Sequence, residues 1–367
     1  MILIDLLLIF VISTTLFDVV HFLLHRWQRS RWALLRMFSS WHQVHHDFLD
    51  KNMDVHPALA RRNFWAHLLP EYLTSIAGTA VMALWFHWEP VAMIAGLHTM
   101  LFALRIYSEG VDLNHMATDR VSGQRGVWLV GPTYHALHHI NPLAFYSSFI
   151  NVFDIIFGTA VAVRGKRVLL TGASGAYGRE MAAALKRMGA HVTPLSVRNM
   201  DAEDVDQLPL ANFDLLVMAH GIKTADRPSD VWLANTAITS YLGDAFIAAG
   251  AGKLVPPEIW SVGSEAEAIG MSDYAMSKRK MADYAAAHWF HNPDVTYRHI
   301  VPSAFNSPMG WGPMSARFAV RWSLFLIRRG FRYVPVTLTG LALINRLRFA
   351  RLPRIFRPKP QTAGERA

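Results

Sequence analysis

Three long apolar stretches crowd the first third of the chain, at residues 2–24, roughly 64–86 and roughly 91–106, and they constrain the fold more than any other feature. Each approaches the roughly 20 residues that carry a helix across a bilayer, the last being the shortest. The stretches between them are polar, basic and rich in histidine, as at 26–36 and 41–62. Charged residues make up 17% of the chain, below the roughly 25% of an ordinary soluble domain. This half is therefore expected to be an α-helical membrane domain, 1–160. The opening segment has no basic leader and carries Asp5, Asp18 and His21, so it is expected to stay in place as a membrane helix. Arginines cluster just after it, which predicts a cytoplasmic location for the histidine-rich side.

The net charge of +9 is read as affinity for an anionic membrane surface, with no nucleic acid as partner. Cysteine is absent and histidine occurs 18 times. Disulfides, iron–sulfur clusters and thiol catalysis are excluded, and imidazole chemistry is favoured.

The histidines fall at helical spacing. His21 and His25 lie four apart, so one helix face carries both. His42, His45 and His46 form HxxHH, and His135, His138 and His139 repeat it; His115 and His56 are further candidates. A single zinc takes about four ligands, so eight or more clustered imidazoles point to two metals. One HxxHH alone is more often a surface helix; two of them plus a helical pair, all flanking apolar segments, are not.

With these residues in view, the stretch from about 17 to 159 resembles the fatty acid hydroxylase/sterol desaturase superfamily. The landmarks are Asp18 ahead of His25-Arg26, the block Trp41-His42-Gln43-Val44-His45-His46, Pro132 before Tyr134-His135, and the closing Phe153-Asp154-Ile155-Ile156-Phe157-Gly158-Thr159. The resemblance implies a site for two non-haem Fe ions that uses O₂ to hydroxylate or desaturate a lipid, with His21, His25, His42, His45, His46, His115, His135, His138 and His139 as metal ligands. One departure stands out: the family reads His-Arg-x-x-His, and here Arg29 occupies the second histidine's place. His21, four residues upstream of His25, is expected to supply that ligand. Asp18, one turn before His21, is a candidate to accept its other ring N–H.

At Arg164-Gly165-Lys166 the pattern changes to alternating strands and helices, with strands expected at 167–170, 191–197, 213–218 and 258–262. This predicts an α/β Rossmann-like doubly wound parallel sheet over 165–310, followed by a basic, apolar extension, 311–367. The run from Thr171 through Gly172, Ser174 and Gly175 to Gly178 follows the first strand and opens a helix, where glycines let the backbone approach a pyrophosphate. Tyr274 and Lys278 share a helix face, which lets the ammonium lower the phenol's pKa for acid–base work. Ser261, thirteen residues before Tyr274, is placed to hold a substrate carbonyl. With Asn235 and the Ala219-His220-Gly221 turn, the region from about 166 to 309 is similar to the short-chain dehydrogenases/reductases, Pro302-Ser303 standing where the family has Pro-Gly. That resemblance implies Ser261, Tyr274, Lys278 and Asn235 as catalytic residues and a nicotinamide cofactor on the glycine loop and Gly221. After the second strand comes Leu195-Ser196-Val197-Arg198, with no acid for a ribose diol and a cation for a 2′-phosphate. NADP(H) is therefore expected over NAD(H), with Ser196 and Arg198 as contacts. The stretch from the glycine loop to Tyr274 is shorter than the family's, by about one βα unit.

A hydride donor does not by itself feed single electrons to iron, and the sequence offers no relay, so a separate electron donor is expected. The leading expectation is a bifunctional lipid oxidoreductase: O₂-dependent hydroxylation or desaturation, alongside NADP-linked alcohol/carbonyl interconversion on a lipid substrate in the bilayer. The alternatives are aldehyde-to-alkane chemistry, as in the plant wax-synthesis proteins that this arrangement resembles, and a non-catalytic membrane sensor of metal and NADP.

Overall fold

The computed structural model describes residues 2–111, 114–115, 126–161, 163–223, 225–253, 255–291 and 295–347. Two compact units result, Met1–Ala162 with Arg328–Gly330, and Val163–Ile327 with the residues from Phe331 onward.

The first unit is helical. Helix α1 (Ile2–Trp27) and helix α2 (Ala33–Phe48) precede a short α3 (Ala60–Asn63), α4 (Leu69–Val81) and α5 (Trp88–Tyr107). Then come α6 (Pro132–Ile140) and α7 (Val152–Phe157). Helices α1 and α5 are long and apolar enough to cross a membrane. The side chains of Leu3, Ile4, Leu7, Leu84, Trp85 and Trp88 stay exposed, the arrangement expected of surface that faces lipid, with tryptophan near its boundary. The middle apolar stretch is helical throughout but not a uniform α-helix. It begins with a π-helical turn (Phe64–Leu68), continues as the 13-residue α4 and ends in a 3₁₀ turn (Met82–Leu84). Pro70 supplies no N–H to the preceding turn, which favours the widened π geometry there. Helix α4 packs against α1 and α5.

The second unit is a six-stranded, wholly parallel sheet in the order β2-β1-β3-β4-β5-β6. The strands are β1 (Arg167–Thr171), β2 (His191–Leu195), β3 (Leu215–Met218), β4 (Glu258–Val262), β5 (Thr296–Pro302) and β6 (Tyr333–Val336). Helices α8 (Ala176–Arg187), α9 (Ala202–Asp206), α10 (Pro228–Trp232), α11 (Ile238–Ala249), α12 (Ala266–Ile269), α13 (Asp273–His291) and α14 (Ala316–Ile327) connect and cover them. The inner strands are buried along their length, as in Leu-Leu-Val-Met of β3, because a parallel sheet is covered on both faces. Compared with the doubly wound order 3-2-1-4-5-6, no strand lies beyond β2 among the described residues, which accounts for the short spacing before Tyr274. β2 is thus an edge strand, half exposed, and carries Pro194.

The four expected strands are present within a few residues, and β5 and β6 were not anticipated. Helix α14 and strand β6 fall within the stretch read as an extension, yet β6 pairs with β5. Its basic, proline-containing end, 348–367, lies outside the described residues.

One buried ion pair ties the far side of this sheet. Arg298 on β5 donates from Nε to Glu258 Oε1 on β4 at 2.7 Å, and from Nη1 to the Phe331 carbonyl at 2.8 Å. Trp260 Nε1 donates to the same carboxylate oxygen at 2.7 Å. Removing one partner strands the other charge in the core, at about 3–5 kcal/mol. Glu258→Ala should lower hydrogen-exchange protection across β4, β5 and β6 by an amount in that range, while leaving α1 and α5 unchanged.

Candidate metal centre and nucleotide site

In the first unit the helices bring all nine ligand candidates together in two groups. One holds His21, His25, His42, His46 and His138; the other holds His45, His115, His135 and His139. Within each group the ligand atoms lie within 4.8 Å of one another. The helical spacing accounts for the sorting: His42 and His46, four apart, face one group, and His45 between them faces the other. His138 and His139 divide the same way. His21 takes its place beside His25, as the shifted motif requires. His56 belongs to neither group and lies half-exposed, 3.4 Å from Asp50.

The nitrogen geometry shows what the first group lacks. His21 donates its Nδ1–H to the Tyr146 carbonyl and His138 its Nδ1–H to the Ala144 carbonyl, both at 2.8 Å. A neutral imidazole has one N–H, so the Nε2 atoms of both rings carry bare lone pairs, and these face each other at 3.0 Å. His25 Nε2 lies 3.1 Å from His138 Nε2 and 3.0 Å from His42 Nε2. His46 Nε2 stands 3.3 and 3.2 Å from the same His25 and His42 atoms. Converging lone pairs repel unless a cation lies among them. Nitrogens bound at about 2.1 Å and at right angles to one another are about 3.0 Å apart. The second group repeats the pattern: His139 Nδ1 donates to the Leu49 carbonyl at 2.8 Å, and its Nε2 faces His135 Nε2 at 3.1 Å. Burial, reinforced by neighbouring imidazoles, holds His42, His45, His46, His135 and His138 well below the usual histidine range. Burial takes His139 down to about 3. Neutral rings are what a metal requires. The donor set therefore fits two metal ions.

A clamped loop supplies two of those carbonyls. Asp154 on α7 accepts from the Tyr146 and Ser147 backbone N–H groups at 3.0 and 2.8 Å, from Tyr134 at 2.7 Å, and from Thr159. Gly158, in the left-handed region at φ 68°, ends α7 and turns the chain back to Thr159. Between the two carbonyls Phe145 also adopts a left-handed backbone, at φ 61°. Asp18 does not touch His21, as the sequence had led one to expect. Its Oδ1 accepts from Ser148 N at 2.9 Å, so it steadies the loop that holds His21. His67 was not anticipated: it stacks on His45 with ring centroids 3.9 Å apart and reaches His42.

In the second unit the candidate residues gather at the C-terminal ends of the strands, beside the switch between β1 and β3 where such sheets bind nucleotides. Gly172, at φ 67°, ends β1 so close to the next strand that a Cβ would lie 2.6 Å from the Ala219 carbonyl. A Cβ on Gly178 would lie 2.0 Å from Gly172 O, so α8 seats directly on the loop. Gly175 precedes α8 as its cap, and Ser174, Ser196 and Arg198 are exposed around this end. These residues fit a dinucleotide: glycines for close approach and a helix N-terminus for the pyrophosphate.

Beyond the loop, Asn235 sits in a second π-helical turn (Leu233–Ala237) and is bonded to Ile222 N and O at 3.0 and 2.9 Å. Gly221 is held beside it, and a Cβ there would lie 2.8 Å from Asn235 Oδ1 and 3.1 Å from Lys278 Nζ. Lys278 donates to the Val262 carbonyl at 3.0 Å, and burial pulls its ammonium down to about 8, Glu267 opposing. Burial pushes the Tyr274 phenol up, a hydrogen bond with Ser264 opposing and Glu267 adding to it. The hydroxyl beside Tyr274 is thus that of Ser264, not Ser261. Ser261 is buried on β4 and bonds His299 Nδ1 at 2.9 Å, and His299 Nε2 in turn lies 3.2 Å from Glu267. A side chain on the last inward position of a strand faces the core; the following loop turns Ser264 toward the helix that carries Tyr274.

Two outcomes follow. Elemental analysis of the purified chain should find two metal ions, falling to one when His138→Ala disables the first group or His139→Ala the second. His220 is half-buried, with Nδ1 2.6 Å from Thr171 Oγ1 and Nε2 2.9 Å from Thr239 Oγ1. Burial and then Lys278 lower its pKa to about 3. Its contribution to stability is full above about pH 6.5 and declines as pH falls toward 3, at up to about 1.4 kcal/mol per pH unit. Denaturant titrations of His220→Gln should show a correspondingly shallower loss between pH 6 and 4.

Comparison with known proteins agrees with this division. Residues 6–159 match the family model described as Fatty acid hydroxylase. A monoglucosyldiacylglycerol epimerase from Synechocystis sp. is 26% identical over 376 residues, covering 89% of this chain and 90% of that one. Among solved structures, a short chain dehydrogenase from Burkholderia cenocepacia in complex with NADP is 18% identical, with a TM-score of 0.45 over 54% of this chain and 100% of its own. One from Burkholderia phymatum in complex with NAD is 16% identical, with a TM-score of 0.43 over 55% of this chain and 99% of its own. The chain therefore joins a helical segment matched by the fatty acid hydroxylase family to a doubly wound parallel sheet.

Proposed function

We propose that this protein is a membrane-lipid oxidoreductase that inverts a carbinol carbon on the sugar of a glycosyl diacylglycerol, through a ketone formed and reduced in its doubly wound half. The observation that carries this reading is the similarity to a glycolipid epimerase across both halves, over 90% of that relative's length. Inverting such a carbon means breaking its C–H bond and remaking it on the opposite face. NADP, when bound, would take up the hydride and give it back, so the reaction is redox-neutral and consumes no reductant. The chain's own residues handle the proton and the oxygen. Tyr274 holds the hydroxyl proton at its phenolic oxygen while the ketone exists and returns it on reduction. Ser264 binds the ketone oxygen. Lys278, on the same helix face as Tyr274, provides positive charge beside the phenol. The ketone must then turn over in the site, which its lipid anchor permits because the sugar is tethered at one end only.

The two imidazole groups favour a second reading: O₂-dependent hydroxylation or desaturation of a lipid chain, with electrons from a separate donor. Bound iron would supply the oxygen chemistry, held by the nine histidines. Helices α1 and α5 support placement in a membrane for either reaction.

The test is to reconstitute the chain in lipid nanodiscs with a monoglucosyldiacylglycerol and NADP and analyse the lipid by NMR and mass spectrometry. Inversion at one sugar carbon without change of mass is expected, and Tyr274→Phe should slow it about 10²–10⁴-fold. A lipid that gains one oxygen or loses two hydrogens, with its sugar unchanged, would overturn epimerisation in favour of the second reading.

A further inference from the structure

Three of the imidazoles have the proton on Nδ1 fixed by a backbone carbonyl, those of His21, His138 and His139. His42 has no such carbonyl. Its Nδ1 faces another ring nitrogen, Nδ1 of His67, at 3.3 Å. His67 Nε2 lies 3.4 Å from Glu71 Oε2, one helical turn further on. Arg105 on α5 closes the row, its Nη1 2.5 Å from the other oxygen of the same carboxylate. Glu71 and His67 are both buried, and all three side chains line the cavity that also reaches His42, His45 and His135.

We propose that Arg105, Glu71 and His67 form a relay that fixes the tautomer of His42 and so completes the first imidazole group as a metal site. Arg105 pairs with the Glu71 carboxylate. That negative charge favours the proton of His67 on Nε2, which leaves Nδ1 of His67 with a lone pair. The lone pair accepts the Nδ1–H of His42, and Nε2 of His42 is then bare. That Nε2 is the atom 3.0 Å from His25 Nε2 and 3.2 Å from His46 Nε2. His67 is thus a positioning residue, where a partner to the non-ligating nitrogen orients the ring and raises its basicity. The π-helical turn is what makes it possible: the widened turn sets His67 inward between the groups while α4 continues along α1.

The test is Co²⁺ binding to the detergent-purified full chain, titrated against a competing chelator and followed by visible absorption, so that the two groups are read without any catalytic assay. His67→Phe keeps a ring against His45 but has no acceptor. It should weaken the first group about 10–100-fold and leave the second within twofold. His67→Asn, whose carbonyl can accept from His42, should recover most of that loss, and Glu71→Gln should fall between. Wild-type affinity for both ions in His67→Phe would overturn the relay. So would an equal loss in both groups, or failure of Asn to do better than Phe, because either would mean that His67 serves packing alone. A wild-type chain that takes up no Co²⁺ would overturn the metal centre itself, a result independent of whether the lipid is epimerised.

Discussion

Nε2 lone pairs, brought to within about 3 Å of one another inside an apolar helical unit, are the constraint on which the first half depends. Such an arrangement is repulsive on its own. It is kept where rings are oriented from behind: His21 and His138 by a loop, His139 by the end of α2, and His42 by another side chain. Asp154 and Asp18, with nothing to ligate, hold the loop that holds the rings. Folding here assembles a positively demanding hole, and an ion entering it removes the repulsion that the fold has tolerated. Metal and helical packing are therefore linked, and the buried acids contribute to both by clamping one short segment.

Much of this was legible in the sequence because it depends on spacing along a helix. Two HxxHH motifs and a pair at i and i+4 can point only a few ways, and the division of neighbours such as His45 and His46 between groups follows from 100° per residue. His67 was not legible. It lies 25 residues from its partner His42, in no motif, and is turned inward by a π-helical turn that hydrophobic periodicity does not register. The middle apolar segment shows a related limit: composition gives its length in residues, while the π-helical turn ahead of Pro70 and the 3₁₀ turn after Val81 leave no mark in it.

In the second half the glycine loop, Tyr274 and Lys278 fell where their context placed them, since a strand followed by glycines and a helix has one low-energy geometry. Ser261 did not, because counting back from Tyr274 assumes a fixed loop length. Here β4 runs to Val262, and the hydroxyl that reaches the phenol comes three residues later. The shortened chain was visible as missing length, but which strand was lost became clear only from the order of the sheet. β5 and β6 escaped notice because Thr296–Pro302 mixes Arg298 and His299 into a buried strand, and those residues are neutralised by partners far away in sequence.

Loss of the outermost strand leaves β2 as the margin of the sheet, and a parallel sheet that ends in a bare strand normally offers its peptide groups to any extended chain nearby. Pro194 interrupts that row of donors. Its ring has no N–H to give and crowds the approach of a further strand, a common way for edges to avoid adhesion. The sheet is therefore closed to a further strand at the margin where it ends.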